Sequence, residues 1–520
     1  MALPAMKGNI FETLPLELVQ HIVWFAGTRR TLCSLRLVSK MMKELADPLA
    51  FATMSIIFSL EHTLTQLQSL ASNDSPNRRW TRYLNLNGFR RDIPGLIPSR
   101  MELATALIPQ IRSLKEVQQA RYTMCKEEPY AEIISALACL PKLRVLNLVV
   151  LTAKDADPAI FSQILNLEEI GVRSTFSTTF TKKVTRNLVQ SSFLTLKSLS
   201  LESFDYSSSL QLDALLFLET SPSDSEPHPA SSLPLAKLCL RGRLLVKASC
   251  LPYLKHLTHL ELRNLAHAGP SIGVYAFPWE ALSQVGIHLT SLLVFPPTPS
   301  LLQYLGSYSG LVSLRLAESE HIWKPNTDDN DHPHEEGAST PESQEKMAHT
   351  MVHGVLPRHR GTLKHLVLAN LNYRFWAVTE GILKSVLSCQ EIEILSLMYR
   401  FEKEPRDLAG ARSAFLHLTA LLPRLISGLP QLHNLTISPA LNQSECPEDW
   451  ELEEASTGPR LLDAVCQVDL SAESRTPALK NPYFELYLMY YEPLLQHPDA
   501  IFDRELGRFK PASVTSRWQE

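Results

Sequence analysis

Apolar side chains follow two different periods along this chain. In the first fifty residues they recur every three or four positions, which predicts two short helices. The stripe of the first helix consists of Leu14, Leu18, Ile22 and Phe25, and that of the second consists of Leu32, Leu35, Val38, Met42 and Leu45. Helices this short cannot bury both of their faces alone, so we expect a partner or a neighbouring domain to cover what remains.

The ends of these two helices are predicted from residues that favour caps and breaks. Thr13 is placed to cap the first helix, which begins near Pro15. Thr31 is placed to cap the second helix, and Asp47-Pro48 is expected to end it.

Beyond residue 80 the dominant pattern is L-x-x-L-x-L, with Ile or Val replacing some leucines. Its ten occurrences begin at Leu143, Leu167, Leu196, Leu235, Leu257, Leu289, Leu311, Leu363, Ile392 and Leu432. The chain holds 88 leucines in 520 residues, so two or three triplets made of leucine alone would arise by chance, and the flanking sequence matters. Helical periods precede several triplets, at Ala131–Leu140, Gly381–Cys389 and Ala414–Leu429, and Pro or Gly ends them.

An array of helix, stop and short strand resembles the leucine-rich-repeat family. The resemblance implies an α/β fold in which residues 52–481 form an irregular solenoid, a horseshoe of short parallel strands and helices. The triplets are 22 to 52 residues apart, and the Asn or Cys that the family places three residues after the last leucine is missing. We therefore expect a degenerate array. The alternative is a helical or α/β domain that is merely rich in leucine.

Three polar stretches interrupt the array, near residues 219–234, 325–346 and 442–460. They are too poor in apolar residues to offset the entropy of ordering, so we expect loops there. Residues 482–520 are dense in Tyr and Leu and then charged. We expect a C-terminal cap or tail that covers the last repeat, with an aromatic patch for a partner as the alternative.

Bulk charge and cysteine use narrow the class of protein. The net charge is −4, and the two acidic stretches Asn326–Lys346 and Asn442–Arg460 carry −6 and −5, so nothing global favours nucleic acid. The eight cysteines are scattered without a C-x-x-C pair. With no signal peptide in Met1–Leu14 and no long apolar run, we expect an intracellular protein, cytoplasmic or nuclear, with no membrane partner.

Residues 10–51 resemble an F-box of the fungal type. The resemblance rests on Leu14-Pro15-Leu16-Glu17-Leu18, on Ile22 and on Leu35-Arg36-Leu37-Val38-Ser39-Lys40, with Met42 where the family often has an aromatic residue. It implies a small all-α domain that docks the Skp-type adaptor of an SCF cullin–RING ubiquitin ligase. The implied adaptor contacts are Leu14, Pro15, Glu17, Leu18, Ile22, Leu35, Val38 and Met42, with Leu14, Ile22 and Val38 as buried anchors. The alternative is an ordinary helical hairpin that packs on its own protein.

The two resemblances together imply a non-catalytic substrate-recognition subunit that presents a protein substrate, phosphorylated or not, on its repeats. Candidate substrate contacts are the positions between the strand leucines, namely Arg144, Asn147, Lys197, His259, Arg315, Lys364 and Asn434. An adaptor-binding scaffold without a cullin is one alternative, and a hydrolase or transferase with an unrecognised site is another.

Candidate chemistry elsewhere is weak, and we expect no cofactor and no metal. His332 and His334 lie beside acids and suit a metal poorly, so a solvated loop is favoured. The basic cluster of Arg78, Arg79, Arg82 and Arg90-Arg91 suits an acidic or phosphorylated ligand, although a solvated edge is the simpler interpretation.

Overall fold

The structure is a computed structural model that describes part of the chain in two compact units. The described residues are 14–57, 67–68, 70, 75–87, 100–124, 130–151, 157–174, 179–203, 210–216, 232–242, 244–263, 277–294, 297–316, 341–368, 376–399, 420–439, 485–488, 500–503 and 508–511. The units are Met1–Pro229, here the N-terminal unit, and Ala230–Glu520, the C-terminal unit. The division falls in the insertion predicted near 219–234, and the helical domain predicted to end at residue 51 is part of the larger N-terminal unit.

The N-terminal unit begins with three helices where the sequence predicted two. They are α1 (Leu16–Phe25), α2 (Arg29–Leu35) and α3 (Lys40–Ala50). The hydroxyl of Thr28 caps α2 by accepting from the backbone N–H of Thr31, 3.2 Å away. Ser39 likewise caps α3 by accepting from Met42 N–H at 3.1 Å, so a second capping residue divides the predicted second helix. The predicted cap at Thr31 is therefore wrong, while Thr13 lies outside the described residues.

Helix α3 continues through Asp47-Pro48 to Ala50, so the predicted stop at that pair is wrong. Pro48 lies in the last turn of α3 and donates no backbone hydrogen bond, but the backbone N–H of Phe51 still donates to Asp47 O at 3.1 Å. The Asp47 carboxylate also forms an ion pair with Arg36, whose guanidinium lies 4.4 Å from the centre of the Phe51 ring. These contacts fix the turn between α2 and α3 against the C-terminal end of α3.

The three helices share one small core. Its buried members are Val19, Val23, Leu32, Met42, Ala46, Ala50 and Phe51. Trp80 packs against this core, and the Thr81 hydroxyl donates to Phe51 O at 3.3 Å. The helices are thereby attached to the start of the repeat region.

Six parallel strands follow in chain order in the N-terminal unit. They are β1 (Thr53–Ile57), β2 (Tyr83–Asn87), β3 (Gln119–Met124), β4 (Val145–Val150), β5 (Glu169–Ser174) and β6 (Ser198–Ser203), each paired with the next. Between and after them lie α4 (Pro76–Trp80), α5 (Arg100–Ser113), α6 (Tyr130–Ala138), a 3₁₀ helix (Pro158–Gln163), α7 (Thr179–Ser191), the two-residue strand β7 (Leu210–Gln211) and α8 (Leu212–Leu216).

The C-terminal unit repeats this plan. Its strands are β8 (Lys237–Arg241), the two-residue β9 (Leu244–Leu245), β10 (His259–Arg263), β11 (Ser291–Val294), β12 (Ser313–Arg315), β13 (His365–Val367), β14 (Ile394–Tyr399), β15 (Asn434–Pro439), β16 (Glu485–Leu488), β17 (Ala500–Asp503) and β18 (Arg508–Pro511). Its helices are a 3₁₀ helix (Ala248–Leu254), α9 (Trp279–Val285), α10 (Pro299–Ser307), α11 (Pro341–Thr350), a π-helix (Met351–Val355), α12 (Leu356–His359), α13 (Glu380–Leu387) and α14 (residues 420–428).

Strand pairing in the C-terminal unit is parallel from β8 through β10 to β16, and antiparallel only at the end. β16 pairs in parallel with β15, then β17 and β18 add antiparallel strands. The predicted cap thus contributes one further repeat-like strand and an antiparallel pair. No described helix is long and apolar enough to cross a membrane.

The leucine triplets form the core of both units. All thirty positions of the ten triplets are buried, from Leu143 to Ile437. The strand register aligns them in columns, so that Leu146 pairs with Ile170 and Ile170 with Leu199, and Leu366 pairs with Leu395. Parallel strands alternating with helices over such columns make each unit a leucine-rich-repeat-like solenoid, as the sequence predicted.

Just before several strands, side chains form hydrogen bonds with backbone N–H and C=O groups. The sequence has no regularly spaced asparagines that could do this. The N–H and C=O of Leu167 bond to the hydroxyls of Ser192 and Thr195 at 3.1 and 2.8 Å. In the C-terminal unit, Leu289 is bonded in the same way by Tyr304 and Tyr308, at 3.2 and 2.9 Å. Leu167 and Leu289 are thus held by polar side chains from the next repeat, which removes the cost of burying their peptide groups.

The insertion predicted over residues 325–346 is shorter than expected. Helix α11 begins at Pro341, so residues 341–346 are helical rather than loop. Gln344 is buried and accepts a hydrogen bond from the indole Nε1 of Trp376 at 2.9 Å, and Met347 packs in the core. Residues 317–340 lie outside the described residues, as do the predicted insertion at 442–460 and residues 219–231 of the first.

Candidate docking surfaces

An apolar groove lies on the N-terminal helices, with a volume of about 540 Å³. It is lined by Leu14, Leu18, His21, Ile22, Phe25, Ala26, Thr31 and Leu35. Helix α1 directs Val19 and Val23 into the core, four residues apart, and this leaves a second stripe of apolar side chains to form the groove. We call this surface the apolar groove.

The side chains of the groove are open to water. Leu18 is 50% exposed, Ile22 40% and Phe25 75%. His21 and Phe25 stack at 6.4 Å between ring centres along one side of the helix. A contiguous apolar surface of this kind on a soluble protein marks a binding site.

More apolar side chains lie exposed in the helical region, and among them the sequence predicted a role only for Val38. They are Leu16, Trp24, Leu37 and Val38, of which Leu37 is 88% exposed and Trp24 65%. Trp24 meets the Phe25 ring edge to face at 5.1 Å. The signal in the sequence is that α1 has apolar residues all around its circumference, more than one buried stripe can use.

The predicted adaptor contacts fall into three groups in the structure. Leu14, Leu18, Ile22 and Leu35 line the apolar groove. Pro15, Glu17 and Val38 are exposed beside it. Met42 is fully buried among the core residues of the three helices, so its assignment as an adaptor contact is corrected: it packs the domain itself.

The solvent-facing strand positions form the second candidate surface, here the strand face of each unit. Of the seven predicted substrate contacts, Asn147, His259, Arg315 and Asn434 lie on strands between buried leucines, whereas Arg144, Lys197 and Lys364 come directly before strands. Gly171 faces Asn147 from the neighbouring strand, and a Cβ there would approach the Asn147 Oδ1 atom to 2.2 Å. The missing side chain gives Asn147 room to lie across the sheet.

Three of the predicted contacts are already engaged in ion pairs. Glu168 accepts from Lys197 at 2.8 Å and from Arg144 at 2.9 Å, one on each side. The hydrogen bond from Lys197, with support from Arg144, lowers the pKa of the Glu168 carboxyl. Lys364 donates to Glu393 at 2.7 Å, which raises the Lys364 pKa and lowers that of Glu393. The register of neighbouring repeats creates these pairs, so no local sequence pattern reveals them.

The basic cluster near β2 is partly structural. The Arg78 guanidinium donates through Nε to the Ser113 hydroxyl at 2.9 Å, and the Arg79 guanidinium lies 4.8 Å from the Trp80 ring centre. Arg90 and Arg91 lie outside the described residues. The solvated-edge interpretation therefore suits Arg78 and Arg79 better than a ligand site.

The His, Cys, Asp and Glu side chains in the described part of the chain form no group of three or more that could hold an ion. His332 and His334 lie outside it. The five described cysteines, Cys33, Cys139, Cys239, Cys250 and Cys389, are free thiols.

Comparisons with known proteins add little to this geometry. No protein-family model matches the chain, and no curated protein matches it. Among solved structures the chain is similar to a leucine-rich-repeat protein of Leptospira interrogans, with 14% sequence identity and a TM-score of 0.31, over 73% of this chain and 71% of that chain. At that TM-score the likeness carries no argument, and the repeat architecture rests on the strand register and the buried triplets.

Proposed function

We propose that the chain is a substrate-recognition subunit of an SCF cullin–RING ubiquitin ligase. The observation that carries this proposal is the apolar groove, which is lined by Leu14 and by the exposed Leu18 and Ile22 of the segment that resembles an F-box. An F-box needs such a surface for its Skp-type adaptor. The adaptor would cover the groove and the exposed Val38 beside it.

Burial of the exposed groove side chains would favour binding of a specific partner. Fully burying a large apolar side chain contributes roughly 1.5 to 3 kcal/mol, so covering the exposed half of Leu18 or Ile22 contributes about 1 kcal/mol. Phe25 and Trp24 are more exposed and bring larger aromatic surfaces. A few such side chains outweigh the entropy lost on association only when the partner is complementary in shape.

The repeats would supply the second half of the function. In this proposal their strand faces hold a substrate protein while the adaptor and cullin bring the ubiquitin-loaded enzyme close to it. The catalytic contribution is proximity, because it raises the effective concentration of substrate lysines near the thioester. The chain itself performs no bond chemistry.

Substitution of exposed groove residues tests adaptor docking without disturbing the fold. Leu18→Asp with Ile22→Asp introduces two charges into the groove, and we expect co-purification with the co-expressed Skp-type adaptor to be lost. The matched control is Leu165→Asp with Leu194→Asp, since these leucines are 58% and 81% exposed on the repeat region. Circular dichroism must show that both variants keep the wild-type helix content. Undiminished adaptor recovery with the groove variant contradicts docking through this surface.

The composition of the purified complex tests the ligase part of the proposal separately. Affinity capture of the wild-type chain should recover a cullin together with the adaptor, and both should be lost with the groove variant. Recovery of the adaptor without a cullin would overturn the ligase role in favour of an adaptor-binding scaffold.

A further inference from the structure

Buried side chains recur at intervals of four residues along α11, the π-helix and α12. They form two rows, of which the first is Gln344, Ala348, Val352 and Leu356 and the second is Met347, Met351, Val355 and His359. A regular α-helix has 3.6 residues per turn, so side chains four residues apart drift around it by about 40° at each step. The wider turn of the π-helix at Met351–Val355 offsets this drift and keeps both rows buried.

The same geometry brings two histidines together on the exposed side of this segment. His349 lies near the end of α11 and His353 lies in the π-helix, four residues later, and both side chains are exposed. The step between them crosses from the α-helix into the wider π-helix, so four residues complete nearly one full turn and one ring lies above the other. The ring centres are 4.2 Å apart, and the ring planes are inclined by 46°.

Two imidazoles in this arrangement can bind one metal ion together. In tetrahedral coordination zinc lies roughly 2.0 to 2.1 Å from each imidazole nitrogen, so the two nitrogens must approach each other to about 3.3 Å. Rings whose centres lie 4.2 Å apart can reach that distance by small rotations of the two side chains. The same spacing, at positions i and i+4 of a helix, places two histidine ligands on one face in zinc enzymes.

We propose that His349 and His353 bind a divalent transition-metal ion of the kind that imidazole prefers, such as Zn²⁺ or Ni²⁺. Two protein ligands leave the remaining coordination positions to water, so this is an open surface site, unlike a site with three or more protein ligands. The bound ion would join α11 to the π-helix across one turn and stabilise the junction between them. This proposal does not depend on the proposed function.

Hydrogen–deuterium exchange of the full chain tests the site, with Ni²⁺ as the only added ligand. Imidazole suits Ni²⁺, whereas thiolates favour softer ions, so the cysteines compete less than they would for Zn²⁺. In the wild type, exchange in peptides covering residues 341–359 should slow as Ni²⁺ is added. His349→Gln with His353→Gln removes both ligands, and the Ni²⁺ concentration at half-effect should rise about tenfold or more, because two linked ligands bind far more tightly than separate ones.

A second variant keeps the number of histidines and changes only their spacing. His353→Gln with Gly354→His moves the second ring by one position, out of line with His349. Gly354 is exposed, and a Cβ there would lie 3.9 Å from the Thr350 side chain, an ordinary contact, so we expect the helix to accept the change. This variant should bind Ni²⁺ as weakly as the double glutamine variant does.

A third variant removes two exposed histidines elsewhere in the C-terminal unit. His256→Gln with His259→Gln should leave the half-effect concentration for residues 341–359 within about twofold of wild type. Unchanged exchange in residues 341–359 of the wild type on addition of Ni²⁺ would overturn the proposal. So would a wild-type response in either variant of His353, or equal weakening by the His256 and His259 substitutions, because the ion would then be held by other groups.

Discussion

The N-terminal helices and the leucine repeats use similar apolar residues in opposite ways. Helix α1 has ten residues, of which only Val19 and Val23 are buried, while five large apolar side chains on it are 40% exposed or more. In the repeats, all thirty triplet positions are buried. A strand that is flanked by similar strands buries its apolar side chains against them, whereas α1 buries one face against the other described helices and leaves the rest of its apolar side chains exposed.

The two regions also differ in how they satisfy backbone polar groups. The helices use local caps, with Thr28 and Ser39 each bonding a backbone N–H three residues ahead. The repeats bond across the sequence: the hydroxyl of Thr362 donates to Leu311 O, 51 residues earlier, at 2.8 Å. The described repeats therefore satisfy these groups between neighbouring strands, whereas the helices satisfy theirs locally.

The largest expected effect is the loss of a triplet leucine. Leu366 is fully buried at the centre of its column, so Leu366→Ala should lower the free energy of unfolding by about 3 kcal/mol or more. Chemical denaturation of the full chain measures this. Leu194→Ala, at an 81% exposed site, should stay within about 0.5 kcal/mol of wild type. Equal effects of the two variants would contradict the account of the repeat core.

A second contrast lies within the helices themselves. Met42 is fully buried and Leu18 is half exposed, although the F-box resemblance assigns both to adaptor binding. Met42→Ala should destabilise the helices by about 2 kcal/mol or more, whereas Leu18→Ala should leave stability almost unchanged and weaken adaptor binding. Thermal unfolding and adaptor titration of the two variants separate the roles. A destabilised Leu18→Ala variant with normal adaptor affinity would reverse this assignment.

A smaller loss of stability is expected when the pH falls, because the folded protein contains a buried histidine. His359 donates through Nε2 to Leu305 O at 2.9 Å and accepts at Nδ1 from the backbone N–H of Leu311 at 3.2 Å, so the folded protein holds it neutral. Burial lowers the His359 pKa below its ordinary value of 6.5. Its contribution to stability is therefore complete above pH 6.5 and is lost as the pH falls below that value.

The His359→Gln variant isolates this contribution, since glutamine can donate and accept but does not titrate in this range. Between pH 7 and 5 the unfolding free energy of the variant should fall less steeply than that of the wild type. The exposed, non-titrating Leu194→Ala variant serves as the control and should keep the wild-type slope. A wild-type slope in the His359→Gln variant would show that this histidine does not contribute.

The smallest effect is expected at the surface ion pairs before the strands. Glu168 bridges Arg144 and Lys197, yet all three side chains contact water. Glu168→Gln should therefore lower stability by less than about 1 kcal/mol, and added salt should reduce the difference further. Denaturation of wild type and variant at low and high salt measures both effects. A loss of several kcal/mol that is insensitive to salt would contradict the surface assignment.

Strand positions were predictable wherever leucine occupied the buried sites. The triplets from Leu143 onward predicted β4 and the following strands through β15, apart from the two-residue strands β7 and β9. Strands β1 and β3 escaped the pattern, because Met54, Ala120 and Tyr122 fill the columns of Leu146 and Leu148. Strand β2 has Leu84 and Leu86 in those columns, but Thr81 stands at the first position of the triplet. The strand register can accommodate any apolar side chain of suitable volume, whereas a search for leucine finds only leucine.

In the helical region the sequence predicted residues of the groove, but it did not predict where the second helix ends and the third begins. The groove residues Leu14, Leu18 and Ile22 were identified from the motif, whereas the division between α2 and α3 depends on the Ser39 cap and on the Arg36–Asp47 ion pair. Neither the exposure of Trp24 nor the ion pairs of the strand face follows from local sequence. Both depend on which residues the fold brings together.

Hydrogen–deuterium exchange of the full chain, with and without a purified Skp-type adaptor, tests the central claim most directly. The claim is that the apolar groove, and not the repeats, is the adaptor surface. Exchange in peptides covering residues 14–38 should slow when the adaptor is added, while peptides covering β4 and β13 should be unchanged. Unchanged exchange in residues 14–38, with slowing confined to the strands, would contradict it.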